Sequence, residues 1–288
     1  HNIYYHDIGE HLSRNQKFTI LNKAKSIFSL NWKLIHPDEN NDWINQRDPH
    51  YQHYVSIIGD SNSPFLNNAV GISTNRDFWV SGFSKQEVLK NTKRLIDNYN
   101  IEVARNGGQG KKSTMRDARK IKWSAGLDKQ FKQGKRLSIK MNHMRLEMYR
   151  PFTKKWLMYD HDIVERPGQY YKHWGKNNQA IVTTGRGVRR KFSALVTDAL
   201  PNLDLMEKGQ GFIRFDHSSS NELLPNSDNV NSNFANKVGL NADDTFAYVY
   251  ALLNSFDYQQ RYDNDLRKDL ARIPIVKDVS KYVTIGKQ

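Results

Sequence analysis

A mixed α/β fold, α+β in layout with short strands and a helical C-terminal end, is what this 288-residue sequence predicts. Three observations carry that expectation. A capped amphipathic helix runs from Ser84 to about Ala104, several short β-rich runs lie between residues 155 and 215, and helical periodicity returns from residue 241 onward. The runs show no regular βαβ alternation and no internal repeat, which argues against a doubly wound parallel sheet.

In chain order, Asn2–Ile8 alternates and reads as a strand. Ser13 is placed to cap a helix through Ile27, with Phe18, Leu21, Ala24, Ile27 and Phe28 close to a 3.6 period. The Asn-, Asp- and Pro-rich stretch from Asn31 to Asp48 predicts an ordered loop pinned by Trp32 and Trp43. Ser84 with Glu87 three residues on makes a capping box, and Val88, Leu89, Leu95, Ile96, Tyr99 and Val103 form one stripe. The helix ends in the Gly- and Lys-rich stretch 106–112, the best candidate for an internal subdivision. Strands are expected at Lys155–Tyr159, Ala180–Thr184, Ala194–Thr197 and Phe212–Phe215. Ser218 to Asn236 reads as an irregular polar loop. Asn241 is placed to cap a helix over Asp243–Leu253, and a second helix is expected over Asp257–Leu270 before Arg272-Ile-Pro274 stops it.

The net charge of +14 is not spread evenly. Residues 101–200 hold 23 Lys and Arg against 8 Asp and Glu, whereas residues 1–100 hold 11 against 10. A surplus confined to one segment points to a polyanion-binding face, and arginines interleaved with Tyr and Trp there suit phosphates and base edges. The alternative is a generic basic surface. No apolar run approaches the length needed to span a bilayer, and no basic amphipathic helix with a clean apolar face favours an anionic membrane surface. With no cysteine, disulfides and thiolate zinc sites are excluded, which fits an intracellular protein.

Catalytic signatures are sparse. No Walker-type loop is present, and after Thr184-Gly-Arg-Gly187 an arginine stands where a dinucleotide loop needs its third glycine. His6, Asp7, Glu10 and His11 read as a polar turn rather than a metal site. The neighbours His161 and Glu165, and Asp216 and His217, lack a third partner.

The ordered motifs are more specific than the composition. They are Ile3-Tyr-Tyr-His-Asp-Ile-Gly9, Asp42-Trp-Ile-Asn-Gln-Arg47, Thr74-Asn-Arg-Asp-Phe-Trp79, Ile121-Lys-Trp123, Tyr149-Arg-Pro-Phe152 with Trp156, and Ala247-Tyr-Val-Tyr-Ala-Leu-Leu-Asn254. In this order they resemble the C-terminal target-recognition, or specificity, region of single-polypeptide type ISP restriction-modification enzymes. Those enzymes unite nuclease, helicase motor, adenine methyltransferase and recognition domain. The resemblance implies that residues 1–12 are the last strand or linker of a preceding methyltransferase domain and residues 13–288 the DNA target-recognition domain. The chain then reads as an excised bacterial, cytoplasmic fragment without catalysis or cofactor of its own. AdoMet, ATP and Mg are expected for the parent's other domains, and the implied partners are double-stranded DNA and the methyltransferase domain of the same polypeptide, with no membrane. The alternatives from other classes are a standalone nuclease or methyltransferase with a basic substrate face, and a non-specific DNA- or RNA-binding protein.

Adenine methylation needs the target base flipped out of the duplex, so a recognition domain must grip the flanking DNA. Lys111, Lys112, Arg116, Arg119, Lys120, Lys122, Arg150, Lys154 and Lys155 are the candidate phosphate contacts. Asn75, Arg76, Gln169, Asn177, Asn178, Gln179, Arg186, Arg189 and Arg190 are the candidate base readers, because Arg reads guanine bidentately and Asn or Gln reads adenine. Arg76 and Arg150 are equally readable as structural braces. Phe152, Trp156, Tyr248, Tyr250, Leu252 and Leu253 are expected to pack inside.

Overall fold

A computed structural model describes residues 2–106, 116–169, 171, 174–175, 177–217 and 227–288. The chain divides into two compact units, His1–Pro49 and His50–Gln288. The expected subdivision at 106–112 falls almost entirely outside the described residues, as do Lys111 and Lys112.

In the first unit, strand β1 (Ile3–Tyr5) pairs antiparallel with β2 (Lys33–Ile35), and helix α1 (Arg14–Ala24) lies between them in sequence. Ser13 caps α1 in a reciprocal box with Gln16, satisfying two otherwise orphaned backbone donors. The helix stops at Ala24, not Ile27, because Lys25 turns into positive φ. The two tryptophans do not pin the loop after it. Trp32 is 42% and Trp43 56% exposed, and the Trp32 indole N–H donates back to the Ile27 carbonyl at 2.7 Å rather than into the loop.

The second unit opens with β3 (Val55–Ser56), β4 (Ala69–Val70), α2 (Asp77–Val80) and β5 (Ser81–Gly82). Helix α3 then runs Lys85–Asn106, with Ser84 Oγ accepting the Glu87 N–H at 3.0 Å. Its stripe is buried as the periodicity requires, with Leu89 half-buried at its margin. Helix α4 (Ala125–Lys132) leads to the hairpin β6 (Met144–Arg150) and β7 (Thr153–Met158). A second hairpin, β8 (Ala180–Thr183) and β9 (Ala194–Thr197), follows. The expected strand over Phe212–Phe215 is broken at Arg214 into β11 (Gln210–Ile213) and β12 (Phe215–Asp216), after β10 (Leu200–Pro201).

Strand β13 (Ser227–Asp228) pairs with β12. Helix α5 (Ser232–Val238) replaces part of the expected polar loop. Asn231 accepts the Asn233 N–H at its start, and Gly239 ends it in the left-handed region. Helix α6 (Ala242–Leu253) is capped by Asn241. The second expected helix is split at Tyr262 into α7 (Phe256–Arg261) and α8 (Asp263–Lys268). Strand β14 (Arg272–Ile273) then pairs with β3, and α9 (Val279–Gly286) follows.

Two four-stranded sheets organise this unit, in orders β10-β6-β7-β5 and β4-β11-β8-β9. The second sheet is buried on both faces, which explains the continuous apolar runs of β8 and β11. Ala180, Val182 and Ile213 enter one core with α3, α4 and the first hairpin. Ile181 and Phe212 enter the other, with Tyr248, Val249, Leu252 and Leu253 of α6.

The β6–β7 turn is Pro151-Phe152, with Phe152 at φ +60°. Proline first and a left-handed residue second is the pattern of a type II turn, which glycine or asparagine fills without strain. A phenylalanine there costs about 1–3 kcal/mol. Phe152 is also 88% exposed, so the expectation that it packs in the core is wrong.

Candidate nucleic-acid interface

Two hairpin tips and one crossing segment build the site. Pro201 O accepts the Ile72 N–H at 2.8 Å and Leu203 N–H donates to Ile72 O at 2.8 Å, so residues 200–204 run beside residues 71–73. The approach is close: a Cβ on Gly71 would stand 2.3 Å from the Asn202 carbonyl oxygen. Asn202 is the hub of this crossing. Its amide donates to Glu147 Oε2 at 3.2 Å, and its side-chain oxygen accepts from Arg150 Nη1 at 3.1 Å and from the Asp204 N–H at 3.0 Å. Burial pushes the Glu147 carboxyl above the ordinary range, against the hydrogen bonds from Ser81 and Asn202. Beyond the hub, Asp204 lines two clefts.

The first cleft, about 710 Å³, is lined by Asn75, Phe78, Arg94, Arg119 and Lys122 among others. Asn75 sits at φ +55°, exposed, with no hydrogen bond from its side chain among the described residues. Arg94 lies over the Trp79 ring at 5.6 Å. Lys122 is exposed and has no ion pair among the described residues. Arg119 makes a forked contact with Asp117, at 3.1 and 3.0 Å, and those hydrogen bonds hold the Asp117 carboxyl below its usual range.

Arg76 also borders this cleft, but its side chain is 1% exposed. It donates to Lys122 O at 3.3 Å and to Ser124 Oγ, with Glu165 at 3.8 Å. Burial lowers its pKa to about 10 despite Glu165. Arg76 is therefore placed as a brace that fixes the 122–124 segment, with its side chain turned away from solvent. Arg116 is likewise bound internally, to Asp128 at 2.7 Å and over the Trp123 ring at 4.4 Å.

The second cleft, about 620 Å³, is lined by Arg150, Pro151, Arg189, Arg190, Glu207 and Lys208 with Asp204. The β8–β9 tip carries the two arginines. Glu207 accepts their backbone N–H groups at 3.2–3.3 Å, and these bonds hold its carboxyl below the usual range. The guanidinium groups of Arg189 and Arg190 have no ion pair among the described residues. The tip is fixed by its main chain: Gly185 N–H donates to Glu207 O at 3.0 Å and Val188 N–H to Arg267 O at 3.1 Å. A Cβ on Gly185 would meet Lys208 O at 2.0 Å, so only glycine fits. Arg150 stacks on its own Tyr149 at 4.1 Å and stands 3.6 Å from Asp204.

Asn75, Arg119, Lys122, Arg150, Arg189 and Arg190 thus come together from distant sequence positions. The other candidates do not. Arg186 lines neither cleft and pairs with Asp269 at 2.8 Å. Asn178 is 2% exposed and bonds to the Phe215 backbone on both sides of its amide, so it is a structural brace. Lys154 pairs with Asp198 at 2.5 Å, Lys155 lies 3.5 Å from the Tyr149 ring centroid, and Lys120, Gln169, Asn177 and Gln179 are exposed outside both clefts. Sequence reading does not pick out Arg94 or Lys208, which fall outside the basic segment, nor Asn202, which no pattern marks. Among the described residues no group of three or more His, Cys, Asp or Glu is placed to hold a metal, and no helix is long and apolar enough to cross a membrane.

The family model described as the Type ISP C-terminal specificity domain matches residues 63–288. The chain belongs to this family. The specificity domain also superposes on solved structures. Against a nuclease-deletion mutant of the Type ISP restriction-modification enzyme LlaGI in complex with a DNA substrate mimic, the TM-score is 0.86 at 37% identity, over 100% of this chain and 27% of that one. Against the ATP-dependent Type ISP enzyme LlaBIII bound to DNA it is 0.85 at 30% identity, over 99% and 20%. A DrdV–DNA complex shares the fold, with TM-score 0.85 at 22% identity, over 99% of this chain and 30% of that one. Among curated proteins no match was found. The specificity domain spans about a quarter of the Type ISP chains it matches, and it is a recognition domain rather than a catalytic one.

Proposed function

We propose that this specificity domain reads a duplex DNA sequence through the two clefts joined at Asp204. In the parent enzyme it positions that duplex for adenine-N6 methylation and restriction by other domains, which use AdoMet, ATP and Mg in the bacterial cytoplasm. The observation that carries this reading is the pair of guanidinium groups of Arg189 and Arg190, without an ion pair among the described residues, on the main-chain-anchored loop that joins β8 to β9. An anchored loop that enters the major groove presents such arginines to guanine O6 and N7. Lys122, Arg94 and Arg119 of the neighbouring cleft meet phosphates, which carry no sequence label. Similarity to enzymes solved with DNA supports the same reading.

Selection of bound duplexes from a random library by the 288-residue chain tests it. The wild type should enrich one motif. Arg189→Ala or Arg190→Ala should relax one base position by about 1–3 kcal/mol. Lys122→Ala should leave the motif intact while the slope of log affinity against log salt flattens by about 0.9 for each phosphate no longer neutralised. A wild type that enriches nothing, or a chain that cleaves DNA with magnesium by itself, would overturn the proposal.

A further inference from the structure

We infer that Phe152 is a wedge that enters a base step of the bound duplex and unstacks it. The inference rests on the DNA-reading proposal and adds a distortion of the DNA to it. Three observations meet at this residue. Its ring is 88% exposed at the tip of a hairpin. The tip is a two-residue turn closed directly by the Arg150–Thr153 pair, so the ring is presented rigidly. The backbone is left-handed at φ +60°, where asparagine or glycine would sit without strain. Stability alone therefore disfavours phenylalanine at this position on two counts, solvent exposure and backbone conformation.

The surroundings name the occupant. Arg150 and Pro151, the preceding residues, line the cleft that also holds Arg189, Arg190 and Lys208. Lys154 lies two residues on, its side chain 41% exposed and paired with Asp198. A ring flanked by Arg150, Pro151, Thr153 and Lys154 is not part of an apolar patch that a protein partner would cover. Arg189 and Arg190, which have no ion pair among the described residues, give the adjoining cleft the cations that phosphates beside an opened base step would meet. Inserted apolar side chains of this kind unstack and kink duplexes. The second hairpin tip, with its arginines, then reads bases beside the opened step.

The test uses the full 288-residue chain and a duplex that the wild type enriches from a random library, with 2-aminopurine placed at each position in turn. Bound wild type should raise the fluorescence at one step. Phe152→Asn should bind with unchanged salt dependence, melt at the same or a higher temperature, and lose the rise; Phe152→Trp should keep it. A rise that survives in Phe152→Asn overturns the wedge, as does wild-type binding with no rise at any position. A clear drop in the melting temperature of Phe152→Asn also overturns it, because Phe152 would then be a packing residue. If the wild type enriches no duplex, the recognition proposal fails and the wedge falls with it.

Discussion

Arg76 and Arg189 are the same residue type with opposite fates, and burial decides between them. The Arg76 guanidinium is sealed among Ser124, the Lys122 carbonyl and Glu165, while Glu207 binds the backbone of Arg189 and leaves its guanidinium to the cleft. Arg76→Ala would leave Glu165 without its buried counter-charge and should destabilise the fold by roughly 3–5 kcal/mol. Urea unfolding measures this, and a loss below about 1 kcal/mol, the scale of a surface ion pair, would remove the brace assignment. The sequence could not separate the two arginines, since both lie beside aromatic and polar neighbours. Phe152 shows the same limit in the other direction: beside Trp156 it reads as core, and only the turn geometry turns it outward.

At the scale of elements, α3 is legible in the sequence because it buries one stripe at a 3.6 period, and α6 because Asn241 caps an apolar run that is buried nearly all round. Strand β6 is not, because the segment Met144–Arg150 buries Glu147 and Met148 side by side and shows no alternation. The glutamate is held by Ser81 and Asn202, partners that lie 66 and 55 residues away in sequence. The β8–β9 tip gives an element-level prediction. Gly185→Ala places a methyl group against the Lys208 backbone and should displace the whole tip, abolishing motif enrichment while far-UV circular dichroism stays unchanged. Gly187→Ala meets only the end of the Lys208 side chain, at 3.3 Å, and carries φ +64°. It should cost about 1–2 kcal/mol of stability from the left-handed backbone and keep the motif. Equal loss of the motif in both variants would mean that the tip is not held by the Lys208 approach.

The second unit holds its own two cores, separated by one sheet whose alternate residues serve each side. Every residue of both cores lies beyond Pro49. Residues 50–288 produced alone should therefore unfold in one cooperative transition, with near-UV and far-UV circular dichroism coincident. Two separated transitions would show that the sheet does not couple the cores. The two-sided burial of that sheet was beyond the sequence, since a short apolar run reads equally as one face of a hairpin.

The main-chain anchoring of the β8–β9 tip bears on how such a module could acquire a new target. The bonds that hold the tip belong to Gly185, Val188 and the backbone of residues 189 and 190, so they do not depend on which side chains those last two positions carry. Positions 189 and 190 can then be exchanged as letters in a fixed frame. Randomising them together should yield folded variants at high frequency, with altered DNA motifs among them. The same randomisation at Asn202, whose side chain is itself the joint between elements, should yield almost none.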